Sequence, residues 1–298
     1  MFSIKQALTK AEQILGKADI KSASLDSRIL LQYALKKTKE YLISRLDEKL
    51  TPAEHSEFLA LVQKRANLEP IAYIIGSKEF YGYDFYVNSK VLIPRPDTEI
   101  LVDAIIAHAS KLISFVEVNH NLDGNSNDPE ITMLELGVGS GCVSISLLLE
   151  IERARIVATD ISEEAILVAK HNARIHNISS RLSIVSSDWY QDIEPQKFDI
   201  ILSNPPYISK SEFDLIAPET IFYEPHTALY TANEEYNSYQ YIAKDARDFL
   251  KDDGKLFVEI GFKQADSVIA IFNAQDFIVD KIYHDLSGIK RIICFSLK

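Results

Sequence analysis

Between Ile131 and Leu149 the chain passes from an apolar run to three alternating glycines and then to an apolar stretch with helical spacing. Ile131-Thr132-Met133-Leu134-Glu135-Leu136 reads as a buried strand, and Cys142-Val143-Ser144-Ile145-Ser146-Leu147-Leu148-Leu149 as a helix. The turn between them, Gly137-Val138-Gly139-Ser140-Gly141, lets a ligand approach the backbone closely at a helix N-terminus. A strand, a tight glycine turn and a helix open a βαβ unit, which commits this part of the chain to the α/β class. Such a turn alone suits a dinucleotide equally well. Here the strand carries Glu135 before the glycines, and the third glycine follows after one residue rather than two.

The alternation continues. Strands are expected near 131–136, 155–160, 182–186, 198–203 and 255–261, and helices near 140–152, 162–176, 235–250 and 263–273. Two last strands, about 277–284 and 289–296, flank Leu286-Ser287-Gly288. That separation allows an antiparallel hairpin and is too short for a parallel crossover. A ligand of such a sheet binds beyond the carboxyl ends of the strands.

Those ends carry the candidate site residues. Asp160 closes Arg155-Ile156-Val157-Ala158-Thr159, about 20 residues beyond the glycines, where a carboxylate can accept both hydroxyls of a ribose. Asp188 and Trp189 follow the strand Leu182-Ser183-Ile184-Val185; the acid can accept an adenine amine and the indole can pack on the ring. A strand-end acid can equally cap the helix that follows it. Phe198-Asp199-Ile200-Ile201-Leu202-Ser203 then runs into Asn204-Pro205-Pro206-Tyr207. The prolines end the strand and hold its backbone rigid. The Asn204 side-chain oxygen and the Pro205 carbonyl can together accept both hydrogens of one planar NH2 group, with Tyr207 offering an aromatic face. Alone, Asn-Pro-Pro is also an ordinary proline-rich turn; four sites in sequence order at strand ends of one sheet favour a ligand.

The order Glu-Leu-Gly-x-Gly-Ser-Gly, Asp160, Ser-Asp188-Trp189 and Asn-Pro-Pro-Tyr resembles that of class I S-adenosylmethionine-dependent methyltransferases that act on amino nitrogens. Three further runs are similar to one family within that class, the bacterial peptide-chain release factor N5-glutamine methyltransferases. They are Glu69-Pro70-Ile71-Ala72-Tyr73-Ile74-Ile75-Gly76, Leu92-Ile93-Pro94-Arg95-Pro96-Asp97-Thr98-Glu99 and Tyr223-Glu224-Pro225-His226-Thr227-Ala228-Leu229. The resemblance covers nearly the whole chain. It implies a seven-stranded Rossmann-like methyltransferase sheet with an antiparallel terminal hairpin, preceded by a small helical N-terminal domain and a linking β-hairpin. It implies S-adenosylmethionine as methyl donor, held by Glu135, Gly137, Val138, Gly139, Ser140, Gly141, Asp160, Asp188, Trp189 and Asn204. Asn204 and Pro205 become the catalytic groups, with Pro206 and Tyr207 beside them at the substrate. The implied substrate is the glutamine of the Gly-Gly-Gln loop in class I release factors. Asn-Pro-Pro-Tyr is shared with adenine-N6 and guanine-N2 nucleic-acid methyltransferases, which are the alternative.

Upstream, helices are expected at about 3–17, 24–37 and 51–67, the last with Thr51 as cap, Pro52 in the first turn and Glu54 completing a capping box. Alternation from Lys78 to Ile93 reads as a hairpin, with Phe80, Tyr81, Tyr83, Phe85 and Tyr86 as packing residues. A helix follows over about 96–114. The expected division is therefore 1–77 helical, for substrate recognition, 78–95 hairpin and 96–298 methyltransferase domain. Residues 117–130 hold Asn119, Asn121, Asp123, Gly124, Asn125, Ser126, Asn127, Asp128 and Pro129, and are expected to form a mobile insertion loop without catalytic consequence.

Charge and cysteine use narrow the partners. Residues 1–85 hold 13 Lys/Arg against 11 Asp/Glu, and the remainder 19 against 32. An acidic catalytic domain is a poor match for a phosphate backbone, which argues against a nucleic-acid substrate. Cys142 and Cys294 are expected to be free and buried, as in a reducing cytoplasm. No Cys/His cluster has metal-ligand spacing, so no metal is expected. No apolar run approaches the ~20 residues of a membrane span, and the first ten residues lack the apolar centre of a signal peptide. A monomeric cytoplasmic enzyme is the resulting expectation.

Overall fold

The computed structural model describes residues 1–120, 130–208, 216–230 and 236–298, with the side chains of 115–120 excepted. The expected insertion loop lies mostly outside the described residues. The chain forms two compact units, Met1–Ser77 with Ile216–Tyr223, and Lys78–Leu215 with Glu224–Lys298.

The first unit is helical: α1 (Ile4–Lys17), α2 (Ala23–Leu35), α3 (Lys39–Ser44), α4 (Pro52–Ala66) and α5 (Ile71–Ile75), joined by α9 (Pro218–Tyr223) from much later in the chain. The expected capping box of α4 is present: Thr51 Oγ1 accepts from the Glu54 N–H at 3.3 Å, and Glu54 Oε2 accepts from the Thr51 N–H at 2.8 Å. Ser3 and Gln6 make the same reciprocal pair at α1. Ile4, Leu15, Leu30, Phe58 and Val62 are among the residues that fill the core. Helix α3 has no long apolar period and goes undetected in the sequence; Thr38 caps it and Leu42 is its only buried residue.

In the second unit β1 (Ser77–Phe80) and β2 (Tyr83–Tyr86) form the expected hairpin. Tyr81 and Gly82 make its turn, both with positive φ (54° and 78°), the geometry that matches strand twist. Pairing stops at Tyr86, well short of Ile93. Phe80 and Phe85 are fully buried, as expected of packing residues. A 3-10 turn at Pro96–Thr98 leads into α6 (Glu99–His120), which is longer than expected and takes in the start of the polar run.

A seven-stranded sheet follows, in the order β5-β4-β3-β6-β7-β9-β8. Its strands are β3 (Ile131–Leu136), β4 (Ala154–Asp160), β5 (Leu182–Ser186), β6 (Phe198–Ser203), β7 (Leu250–Glu259), β8 (Phe277–His284) and β9 (Lys290–Leu297). Neighbours from β5 through β7 run parallel, and β9 is antiparallel to both β7 and β8. The helices are α7 (Cys142–Glu150), α8 (Glu163–Ile175), α10 (His226–Leu229), α11 (Asn237–Phe249) and α12 (Ala265–Asn273). Strand β7 starts five residues before its expected beginning because Leu250 already pairs with Phe198; the register then shifts over the charged Lys251-Asp252-Asp253 before Lys255 resumes opposite Ile200. Buried clusters cover the sheet, one including Leu101, Ile105, Ile145 and Phe257, the other Leu134, Ile201, Tyr239 and Phe295. Cys142 and Cys294 are both free and buried.

Candidate active site

Strand order decides what meets what. Leu136 pairs with Thr159 on one side and Ser203 on the other, so the chain leaves β3, β4 and β6 at one level. Strands β4 and β5 lie to one side of β3, and β6 and β7 to the other. The topological switch therefore falls between β3 and β6, where the carboxyl ends leave a crevice. Reading across, the ends of four adjacent strands carry Asp188 and Trp189, then Asp160, then the glycine turn, then Asn204. Three strand spacings make this row about 14 Å long.

The glycine turn is tied down on its inner side. The Gly137 and Val138 N–H groups donate to the Thr159 carbonyl at 2.9 and 2.8 Å, and the Gly139 N–H donates to Asp160 Oδ2 at 2.9 Å. Asp160 Oδ1 accepts from the Ser162 N–H at 2.9 Å. Burial pushes the Asp160 carboxyl up, and the backbone N–H groups of Ser162, Gly139 and Ile161 oppose that. These three donors leave one lone pair of the carboxylate for a further hydrogen, and the residue is half-buried. Gly137 and Gly139 hold positive φ, 83° and 53°, and a Cβ on either would point into open space. Asn172 of α8 braces the turn from behind: its Nδ2 donates to the carbonyls of Ser140 (2.8 Å) and Tyr86 (2.9 Å), and its Oδ1 accepts from the Tyr86 N–H (2.8 Å). Nothing local in the sequence marks Asn172 for that task.

Glu135, Val138 and Ser140 lie deeper than the sequence suggests. Val138 packs in the core, and Ser140 is 3% exposed with its hydroxyl against Cys142. The Glu135 carboxyl is buried beneath the turn, accepts from Ser144 Oγ of α7, and is pushed up to about 8 by burial. That bond ties the end of β3 to α7, the two elements that flank the turn. Asp188 is exposed, whereas Trp189 has a positive φ of 55° and stacks on Tyr241 of α11 at 6.4 Å between ring centroids.

At the end of β6 the four residues are fixed one by one. Ser203 Oγ donates to the Leu136 carbonyl at 2.7 Å, joining β6 to β3. The Pro206 carbonyl accepts from Ser238 Oγ (2.9 Å), and the Tyr207 carbonyl from Gln264 Nε2 (2.8 Å). The intervening Pro205 carbonyl has no hydrogen-bond donor among the described residues. Asn204 Nδ2 donates to Thr98 Oγ1 at 3.1 Å, which leaves Oδ1 as the amide's remaining acceptor. The Tyr207 ring turns toward the end of β7, where its hydroxyl meets the Glu259 carboxyl and its Cδ2 lies 3.0 Å from the place of a Cβ on Gly261. Burial raises the Tyr207 phenol well above its ordinary value.

The run Pro94 to Glu99 underpins all of this. Arg95 pairs with Glu224 at 2.6 Å, and Glu224, 4% exposed, also accepts from the Ile93 N–H at 3.1 Å. Asp97 pairs with Arg291 of β9 at 2.7 Å, Thr98 meets Asn204, and Glu99 accepts from the Tyr81 N–H at 3.0 Å. Two runs that are distinctive in sequence thus hold each other through Arg95 and Glu224. Thr98, Glu224, Glu259 and Gln264 were not singled out by sequence; Thr98 and Glu224 at least lie inside distinctive runs, and Glu259 is an acid at the end of a buried strand.

A parallel sheet closed by an antiparallel strand, with a glycine turn, a strand-end acid and Asn-Pro-Pro-Tyr around its switch point, defines an S-adenosylmethionine-dependent methyltransferase fold. Comparison with known proteins narrows the class. Residues 6–76 match the family described as the PrmC N-terminal domain, and residues 120–234 the methyltransferase small domain. A release factor glutamine methyltransferase from Cereibacter sphaeroides is 34% identical over 98% of this chain and 97% of its own length. A bifunctional methyltransferase from Rickettsia felis is 45% identical over 99% of this chain, which spans only 58% of that relative's length. The chain belongs to the release factor glutamine methyltransferase family. Among solved structures, the human Mettl16 catalytic domain bound to a MAT2A 3′UTR hairpin shares the fold at a TM-score of 0.50 and 14% identity, covering 82% of each chain.

The residues present fit S-adenosylmethionine. The turn spends the N–H groups of Gly137, Val138 and Gly139 on Thr159 and Asp160, so it offers open glycine surface rather than a nest of donors for a pyrophosphate. S-adenosylmethionine has no phosphate to bind. Among the described residues there is no cluster of His, Cys, Asp and Glu able to hold a metal. No described helix is long and apolar enough to cross a membrane.

Proposed function

We propose that this protein transfers a methyl group from S-adenosylmethionine to the side-chain amide nitrogen (N5) of the glutamine in the Gly-Gly-Gln loop of class I peptide-chain release factors. One observation carries the chemistry: Asn204 Nδ2 is engaged by Thr98, which leaves Oδ1 as the amide's remaining acceptor, next in the chain to a Pro205 carbonyl that has no donor among the described residues. The names of the full-length relatives support the substrate.

The donor, when bound, supplies an electrophilic methyl on a sulfonium. An amide nitrogen is a poor nucleophile because its lone pair is delocalised into the carbonyl. Asn204 Oδ1 and the Pro205 carbonyl accept both N–H hydrogens, favour charge on nitrogen and aim its lone pair along the line of displacement. Their effect is positioning by preorganised dipoles, with no reorganisation at the moment of transfer. Asp160 holds the ribose hydroxyls, Asp188 and Trp189 the adenine, and the open faces of Gly137 and Gly139 allow the donor against the backbone. No side chain acts as general base, and the proton leaves to water. The helical N-terminal unit docks a second surface of the release factor, since one glutamine offers little discrimination. The enzyme works in the cytoplasm as a monomer.

The deciding experiment offers intact release factor, tRNA and duplex DNA in parallel with labelled donor, and maps the modified site by mass. A methylated Gly-Gly-Gln glutamine supports the assignment. Label confined to tRNA or DNA instead assigns an adenine-N6 or guanine-N2 methyltransferase.

A further inference from the structure

Asn204 can clamp a substrate amide only if its own amide faces the right way. Rotated by half a turn, it would present NH2 to an NH2 and repel it. The two orientations have nearly the same shape, so sterics do not choose between them. The choice falls to the group behind, Thr98 Oγ1, which lies 3.1 Å from Nδ2. A hydroxyl carries one hydrogen and can either donate to Asn204 or accept from it. What decides is the other neighbour of Thr98, the carboxyl of Glu259 at the end of β7. Thr98 is 2% exposed and so is Glu259, which keeps water from substituting for either.

The surroundings hold that carboxyl in place. The Tyr207 hydroxyl is a second hydrogen-bond neighbour, and Tyr239 Oη donates to the Glu259 backbone carbonyl at 3.1 Å. Glu259 Oε2 is buried without a hydrogen-bond partner among the described residues. A buried, half-satisfied carboxylate costs stability. A hydrophobic or amide side chain would cost less, unless the carboxylate has a task. The groups that face it are Asp97 and Thr98 before α6, Tyr207 after β6, Cys142 on α7, Tyr239 on α11 and Arg291 on β9.

We infer that Glu259 is a positioning residue for methyl transfer: as a carboxylate it accepts the Thr98 hydroxyl hydrogen, which obliges Thr98 to accept from Asn204 Nδ2 and so points Asn204 Oδ1 at the substrate nitrogen. The chain Glu259–Thr98–Asn204 moves no proton. It sets one amide orientation. When Glu259 takes up a proton, its O–H can donate to Thr98, and the freed Thr98 hydrogen turns toward Asn204 and favours the reversed amide. Burial pushes the Glu259 carboxyl up to about 7, with Arg291 opposing and Asp97 reinforcing the rise, so the switch falls near neutral pH. The inference rests on the proposed amide-clamping role of Asn204.

The test uses the full chain and has two arms. In the first, the Asn204 Nδ2 resonances are identified by their absence in Asn204→Asp and followed against pH in cofactor-saturated protein. They should titrate with a midpoint near 7, and the titration should vanish in Glu259→Gln and in Thr98→Val. In the second, kcat on release factor should fall about tenfold or more in Thr98→Val, by analogy with loss of a preorganised polar group, and return in Thr98→Ser. KM and cofactor affinity should stay within about twofold, a split that general destabilisation does not produce. Wild-type kcat should fall as pH drops below about 7, and Thr98→Val should lack that acid limb. An Asn204 titration unchanged in both variants, or wild-type kcat in Thr98→Val, overturns the inference. If Glu259→Gln does not fold, Thr98→Val decides alone. A wild-type enzyme that leaves release factor unmodified overturns the substrate assignment, and the resonance arm then still decides the Glu259 role.

Discussion

The Arg65 guanidinium stands 2.6 Å from the Glu219 carboxylate, 154 positions further along the chain. The same guanidinium reaches Asp26 at 2.7 Å and the Glu69 carbonyl at 3.2 Å, and Tyr223 Oη donates to the Asn67 carbonyl at 2.7 Å. Residues 216–223, which follow the Asn-Pro-Pro-Tyr turn closely in sequence, are thus a structural part of the helical unit. Arg65 and Asp26 are buried, while the Glu219 side chain is 38% exposed.

That asymmetry predicts unequal costs. Arg65→Met strands the buried Asp26 carboxylate and should lower the unfolding free energy by about 3–5 kcal/mol. Glu219→Gln removes a solvent-screened partner and should cost about 1 kcal/mol or less. Urea denaturation of both variants checks the ranking; equal losses would mean that Glu219 carries as much of the network as Asp26.

Asn204→Ala should lower kcat by about 10²–10³, the usual effect of removing one preorganised polar group from a transition state. Cofactor affinity should change far less, because the glycine turn and Asp160 are untouched. Pro205→Ala should be milder, since its carbonyl stays but loses rigidity. Turnover near the wild-type rate in Asn204→Ala would remove the amide clamp from the mechanism.

Asp160→Ala should weaken S-adenosylmethionine binding by about 1–3 kcal/mol, the cost of losing hydrogen bonds to a charged group. The structure adds a second consequence, because Asp160 also accepts from Gly139 and Ser162. Melting temperature should therefore fall modestly as the turn loses its tie. Calorimetry showing unchanged affinity in the folded variant would reject the ribose contact.

How much of this was legible beforehand follows the range of the interactions. The strands β3 and β6 could be placed from apolar runs because a central parallel strand is buried on both faces, and β4 and β5 from shorter apolar runs that alternate with exposed residues. The glycine turn, Asp160 and Asn204 could be found because each sits at a strand end next to a break in pattern. Thr98, Asn172, Glu224 and Glu259 could not be assigned tasks in the same way. Their partners lie 106, 86, 129 and 161 residues away, and no local periodicity reports a contact made through folding. Short helices such as α3, α9 and α10 were missed for a related reason: at four to six residues they are held by caps and packing rather than by a repeating apolar face. The depth of Glu135 was hidden as well, since an acid before a glycine turn looks accessible until α7 supplies Ser144 as its partner.

Glu135 gives a pH prediction with a definite sign. Its carboxyl rises from 4.5 to about 8 on folding, so between those values the native state holds a proton that the unfolded chain has released. Stability from this group is full below about 4.5 and is lost as pH rises toward 8. Glu135→Gln keeps the shape and removes the titration. Its denaturation free energy, compared with wild type, should fall less steeply across that range, by up to about 1.4 kcal/mol per pH unit. Parallel pH profiles for the two proteins would show that Glu135 is ionised in both states.

The helical unit offers the last test. Lys5, Leu8, Arg28, Lys39, Leu42 and Ile43 are among the residues lining a groove of about 300 Å³ on it, and Ile43 is 61% exposed. An apolar floor with three cations and one acid, Glu12, around it suits a partner surface that is apolar and acidic, and the proposed substrate has to be held somewhere beyond its one glutamine. Ile43→Asp combined with Arg28→Glu should therefore lower kcat/KM on intact release factor about tenfold, the effect of roughly 1.4 kcal/mol of lost docking. The same protein should methylate a short Gly-Gly-Gln peptide as well as wild type does, because neither substitution touches the catalytic unit. Both substrates falling together would point to damage transmitted through the fold, and both unchanged would move the docking surface elsewhere. Only a loss confined to the intact protein fits a groove that holds the release factor while Asn204 works on its loop.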